Sequence, residues 1–130
     1  MITIYDLSLE FDENFGFEKS SMVGKIGNDE IAVCFYNSKR QSQPVKALGG
    51  RHNSSYGIKA LTILLSYTTD SLKAELMAIA IQNYYDERKC RINGRNVYFT
   101  LLYNEPIALG TDERGVYEYS FELNVYYERR

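Results

Sequence analysis

Few residues in this chain could act as nucleophile, base or metal ligand. The single histidine, His52, sits in the run Gly-Gly-Arg-His-Asn, and nothing in the spacing brings Cys34 or Cys90 to it. A thiolate nucleophile needs a base within hydrogen-bond reach and a third group to orient that base. Zinc needs three or four thiolate or imidazole ligands closely spaced, whereas these three residues are scattered from position 34 to position 90. Gly24-Lys25-Ile26-Gly27 lacks the spacing of a phosphate loop and follows no strong strand, so its glycines are read as turns. Glu118 and Glu122 lie about 13 Å apart along one strand face, too far for a cooperating carboxylate pair, and are read as a solvated face. No catalytic residue, metal or cofactor is expected, and the chain is not read as an enzyme.

Charge is segregated along the sequence. Residues 1–30 hold seven acids (Asp6, Glu10, Asp12, Glu13, Glu18, Asp29, Glu30) against two lysines, whereas 37–53 carries Lys39, Arg40, Lys46 and Arg51 and no acid. Oppositely charged surfaces on one chain suit a head-to-tail contact between identical subunits, and such contacts close into rings; the alternative is that both segments are simply solvated. The net charge of -2 and pI near 5.4 argue against holding nucleic acid by phosphate neutralisation, so DNA is expected only in passage, without specific binding. Twelve tyrosines stand against no tryptophan. Tyrosine pairs a large apolar face with a hydroxyl that needs a partner, which suits half-buried sheet faces and subunit interfaces alike.

The 130 residues fit a single domain of ordinary size. The cysteines form no dense disulfide pattern, which points to a reducing cytoplasm. Met1 to Asp6 has no basic leader region, and no apolar run approaches the length of a bilayer span, so neither export by signal peptide nor membrane insertion is expected.

Periodicity alone leaves Ile2 to Phe11 open between helix and strand. It is read as a helix, with Asp6 and Glu10 toward solvent and a stop at Asn14 and Gly16. Ile31 to Tyr36 reads as a strand, 37–53 as a long loop, and Gly57 to Tyr67 as a strand apolar on both faces. A helix is expected from Thr69 or Asp70 to about Glu87, with Leu72, Leu76, Ile79 and Asn83 recurring at helical spacing and Met77, Ile81 and Tyr84 widening that apolar stripe. Arg88 and Lys89 would then complement the helix C-terminus. Asn93-Gly94 signals a tight turn. Val97 to Asn104 reads as a strand, Pro106 to Gly115 as a loop, and Tyr117 to Tyr127 alternates clearly as a strand with one buried and one wet face. The expectation is an α+β fold: a roughly four-stranded, mostly antiparallel sheet with an N-terminal and a central helix on one face.

From Pro106 to Tyr126 the sequence places Pro106, Leu109, Gly110, Asp112 and Gly115 ahead of an alternating strand. With the Gly49-Gly50 loop, the strand Ile58 to Tyr67, the helix after Thr69 and the turn before Val97, this order resembles the phage minor capsid and tail terminator family over most of residues 31–127. Residues 1–30 match only as an N-terminal helix and a connection. The resemblance implies a homohexameric ring that caps the tail tube, halts its polymerisation and meets the head-completion, connector or sheath proteins. It implies no cofactor. The location would be the tail or neck of a phage or tail-like particle, assembled in the host cytoplasm. Lys39, Arg40, Lys46, Arg51, Asp112, Glu113 and Arg114 are the residues expected at subunit or partner contacts, and Glu118 and Glu122 those expected to border a channel.

Overall fold

A computed structural model describes residues 2–17, 21–23, 32–38 and 56–129. Lys39, Arg40, Lys46, Arg51, His52 and the Gly24-to-Gly27 segment lie outside the described residues. The elements run α1 (Ile4–Asn14), β1 (Met22–Val23), β2 (Ala32–Asn37), β3 (Tyr56–Ser66), α2 (Ser71–Tyr85), β4 (Lys89–Ile92), β5 (Arg95–Leu101), β6 (Ile107–Thr111) and β7 (Tyr117–Glu128).

The α+β class holds, but among the described residues the sheet has seven strands rather than four. Its order is β1-β2-β3-β7-β5-β4, with β6 also paired to β7 and a parallel step at β1–β2. The three strands that periodicity misses are short and peripheral: β1 is two residues long, β4 pairs among the described residues only with β5, and β6 is almost wholly exposed. Strands that bury little carry no strong apolar alternation. β6 also lies inside the stretch read as a loop, where Gly110, at a φ of 93°, accompanies a register shift.

β7 organises the sheet. One edge pairs with β3 along its length, from Tyr56 opposite Glu128 to Ser66 opposite Glu118. The other edge is shared end to end, β5 pairing with Leu123 to Tyr127 and β6 with Tyr117 to Ser120. The hairpin between β4 and β5 closes at Ile92 opposite Arg95. Asn93 (φ 54°) and Gly94 (φ 76°) both take positive φ there, as a two-residue primed turn requires.

One face of the sheet is the core. Leu61, Ile63 and Leu65 of β3, Phe121, Leu123 and Val125 of β7, Val33 and Phe35 of β2, and Val97 and Phe99 of β5 are all buried. Both helices cover this face. Phe11 of α1 stacks on Phe15 and on Tyr85 of α2 and touches Phe35, while Tyr85 packs on Phe99.

α1 begins with a capping box. Thr3 Oγ1 accepts the Asp6 amide hydrogen bond at 3.1 Å, and Asp6 Oδ2 accepts that of Thr3 at 3.0 Å. The Thr3 backbone N–H, as the main cause, holds the Asp6 carboxyl below its ordinary range. Glu10, expected in solvent, is instead buried, because Arg88 pairs with its carboxylate.

In α2 the Asp70 side chain caps the amides of Leu72 and Lys73. The buried side of this helix, however, is Ala74, Ala78, Ile81, Gln82 and Tyr85. The stripe of Leu72, Leu76, Ile79 and Asn83 faces outward. Two alanines one turn apart let the helix backbone lie close to the sheet, while Ile81 and Tyr85 fill the space beyond them.

Candidate assembly surfaces

The polar cluster nearest the core joins the two helices. The Glu10 carboxylate accepts from Arg88 Nε at 2.7 Å and from Tyr84 Oη at 2.8 Å, and it forms an ion pair with Arg88 Nη2. The Arg88 guanidinium also lies 4.2 Å from the Tyr84 ring centroid. Glu10 is therefore buried with its charge matched, and Arg88 ties α2 to α1 rather than capping its own helix end. Cys90 lies beside this cluster. Burial, followed by the Glu10 charge, pushes its thiol up to about 11, so it is protonated at neutral pH and a poor nucleophile. Cys34 is fully buried in β2, and burial raises its thiol as well. Among the described residues no group of three or more His, Cys, Asp or Glu could hold a metal ion, and no helix is long and apolar enough to cross a membrane.

Glu118 and Glu122 point to the sheet face away from the helices, but as half-buried acceptors rather than as a freely solvated row. Ser66 Oγ donates to Glu118 at 3.1 Å; Thr62 Oγ1 and Ser38 Oγ donate to Glu122 at 2.6 and 3.1 Å. Each carboxylate thus locks β7 to its neighbours. Asp112 is spent in the same local way. Its Oδ1 accepts the amides of Arg114 and Val116, its Oδ2 pairs with Arg114 Nη2 at 2.9 Å, and Gly115 at a φ of 80° completes the turn. The hydrogen bond from Arg114 is the chief reason the Asp112 carboxyl sits below its ordinary range. Glu113 is exposed.

Two surfaces stand out that expose apolar or aromatic side chains left uncovered by the described residues. The first is the outer flank of α2, where Leu72 is 64% exposed, Leu76 57% and Ile79 41%. Ile79 continues into a cleft of about 470 Å³ between α2 and β6, lined also by Glu75, Glu105, Pro106, Ala108 and Tyr119. Burial, followed by the Glu75 charge, raises the Tyr119 hydroxyl. β6 pairs only with β7, so its outer edge is unpaired among the described residues, and Leu109 on it is exposed. Spacing at i, i+4 and i+7 reveals this stripe in the sequence, but periodicity cannot tell which side of a helix with apolar residues all round faces the core.

The second surface lies on the opposite face of the sheet, at the β3–β7–β5–β4 end. Tyr56, Tyr126 and Tyr98 form a row with successive ring centroids 6.3 and 6.1 Å apart, and the Lys89 ammonium lies 5.5 Å from the Tyr98 centroid. With Arg91, Asn96 and Glu128 they line an open groove of about 550 Å³. On the helix face at the same end, Tyr127 crosses Gly57 so closely that an added Cβ would come within 2.6 Å of its ring. The abundance of tyrosine signals such a surface, but the row forms only when strand register aligns residues from three strands. In comparisons with protein-family models, with curated proteins and with solved structures, nothing matches this chain.

Proposed function

We propose that this chain is a structural subunit of a phage or phage-like tail, a tail terminator whose ring caps the tail tube, stops its polymerisation and joins it to the head-completion or neck proteins. Its partners are then further copies of itself, the tail tube protein, and connector or sheath proteins, with DNA only in passage. The sequence resemblance over residues 31–127 supports this reading. The physical observation that carries it is the outward stripe of Leu72, Leu76 and Ile79. A helix already anchored by Ile81 and Tyr85 gains nothing in an isolated monomer by holding three large apolar side chains in water, and contiguous exposed apolar surface marks an interaction site. Another head–tail joining component or a tube protein would use the same surface.

The tyrosine groove favours a second reading, a small ligand-binding module, which would be monomeric or dimeric. Light scattering on the purified protein separates the classes. The tail terminator reading expects a stable species near six times the 15.0 kDa chain mass. A protein that stays monomeric at high concentration rejects assembly through itself.

A further inference from the structure

We propose that the repeating contact of the ring seats the outer flank of α2 from one copy in the tyrosine groove of the next. This rests on the assembly reading above and names the two surfaces it uses. They lie on opposite faces of the sheet: α2 covers the face of Leu61 and Phe121, while Tyr98 and Tyr126, in register with each other and with Ile58, stand on the other. A contact joining two different patches on opposite sides of a subunit is heterologous and propagates head to tail until it closes.

The groove carries cations, whereas the cleft that Ile79 enters at the end of the ridge is bordered by acids. Lys89 and Arg91 line the groove, and Arg129 reaches its Tyr56 end, donating to the Tyr56 carbonyl oxygen at 3.1 Å. Arg91 donates to the Gly94 carbonyl and the Asn96 side chain, and Lys89 lies over Tyr98. Among the described residues none of these three cations meets a carboxylate, and the one acid lining the groove, Glu128, accepts the Asn96 amide hydrogen bond. On the α2 side, Glu75 and Glu105 border the cleft, and no described residue lining it is a lysine or arginine.

Shape agrees as well. Leu72, Leu76 and Ile79 form one ridge spanning about 10 Å of helix axis, comparable with a row of three rings spaced 6.3 and 6.1 Å apart. An apolar helix ridge laid into an aromatic groove is a recurrent mode of recognition, and tyrosine and arginine are the residues that anchor interface centres.

Paired charge reversal tests the contact. Lys89, Arg91, Glu75 and Glu105 are all exposed, so K89E/R91E and E75K/E105K should keep the wild-type circular dichroism and unfolding midpoint. Each is expected to weaken self-association by at least about a hundredfold, since like charges then face each other. Mixing the two variants in equal amounts should restore an oligomer of wild-type mass, because each supplies the patch that complements the other's reversed one. A chain carrying all four changes should assemble alone. If the wild type forms a ring and either pair leaves it intact, the proposed contact is wrong while the assembly reading stands. Dissociation of both variants without recovery on mixing likewise overturns the pairing of these surfaces. A monomeric wild type removes the assembly reading and this contact with it.

Discussion

The two helices invert the usual rule in opposite directions. α1 carries an acid, Glu10, that is only 7% exposed, while α2 carries leucines in open solvent. The first departure is compensated inside the chain: Arg88 and Tyr84 supply charge and hydrogen bonds to the Glu10 carboxylate. The second has no compensation among the described residues. A buried charge with partners is an element of architecture, because removing either partner exposes a large desolvation cost. An exposed apolar ridge contributes nothing to the isolated fold, and it becomes intelligible only when something else covers it.

The contrast predicts that α1 variants damage the fold and outer α2 variants do not. The largest effect is expected at Phe11, which meets the rings of Phe15, Phe17, Phe35, Tyr84 and Tyr85. Phe11→Ala should cost about 3–5 kcal/mol by denaturant unfolding. A loss below about 1 kcal/mol would mean that α1 is not an integral layer of the core. Next comes Glu10→Ala, which strands Arg88 beside the core and should cost about 3 kcal/mol. Replacing Glu10 and Arg88 together with leucine and methionine should cost less than Glu10→Ala alone, since no charge is then left unmatched. Equal costs would show that the pair is solvated and incidental.

A smaller effect of opposite sign is expected at Tyr85. Its ring is fully buried between Phe11 and Phe99, and its hydroxyl finds no hydrogen-bond partner among the described residues. Burying an unsatisfied hydroxyl costs about 1–3 kcal/mol, so Tyr85→Phe should raise the unfolding midpoint or leave it unchanged. A clear destabilisation would reveal that the hydroxyl is satisfied in solution.

How much of this was legible beforehand follows from what each residue buries. β7 alternates for twelve residues because one of its faces is core along most of its length, and it is the strand the sequence marks most clearly. The Asn93-Gly94 turn is equally plain, since two positive φ values restrict the choice of residue. β4 and β6 are not legible, because edge strands bury too little to leave a pattern. The orientation of α2 fails for a different reason. Its apolar residues almost encircle the helix, and the small Ala74 and Ala78, rather than the large Leu72 and Leu76, mark the side that touches the sheet. Glu10 could not be read as buried without knowing that Arg88, far away in sequence, arrives beside it. The tyrosine row depends likewise on the register among β3, β7 and β5.

Leu76 gives the smallest effect on the fold and the sharpest test of the contrast. At 57% exposure on the outer flank of α2, Leu76→Gln replaces an apolar surface side chain with a polar one of good helix propensity, so the isolated monomer should change by no more than about 0.5 kcal/mol. A contact between copies adds a second expectation. Association stabilises the folded state by mass action, so the wild-type unfolding midpoint should rise with protein concentration and meet that of the variant only at the lowest concentrations. In the Leu76→Gln protein the concentration dependence should be much reduced. Identical, concentration-independent curves for both proteins would mean that the ridge covers nothing. A variant destabilised even when dilute would mean that Leu76 serves the monomer's own core, and the contrast between the two helices would dissolve.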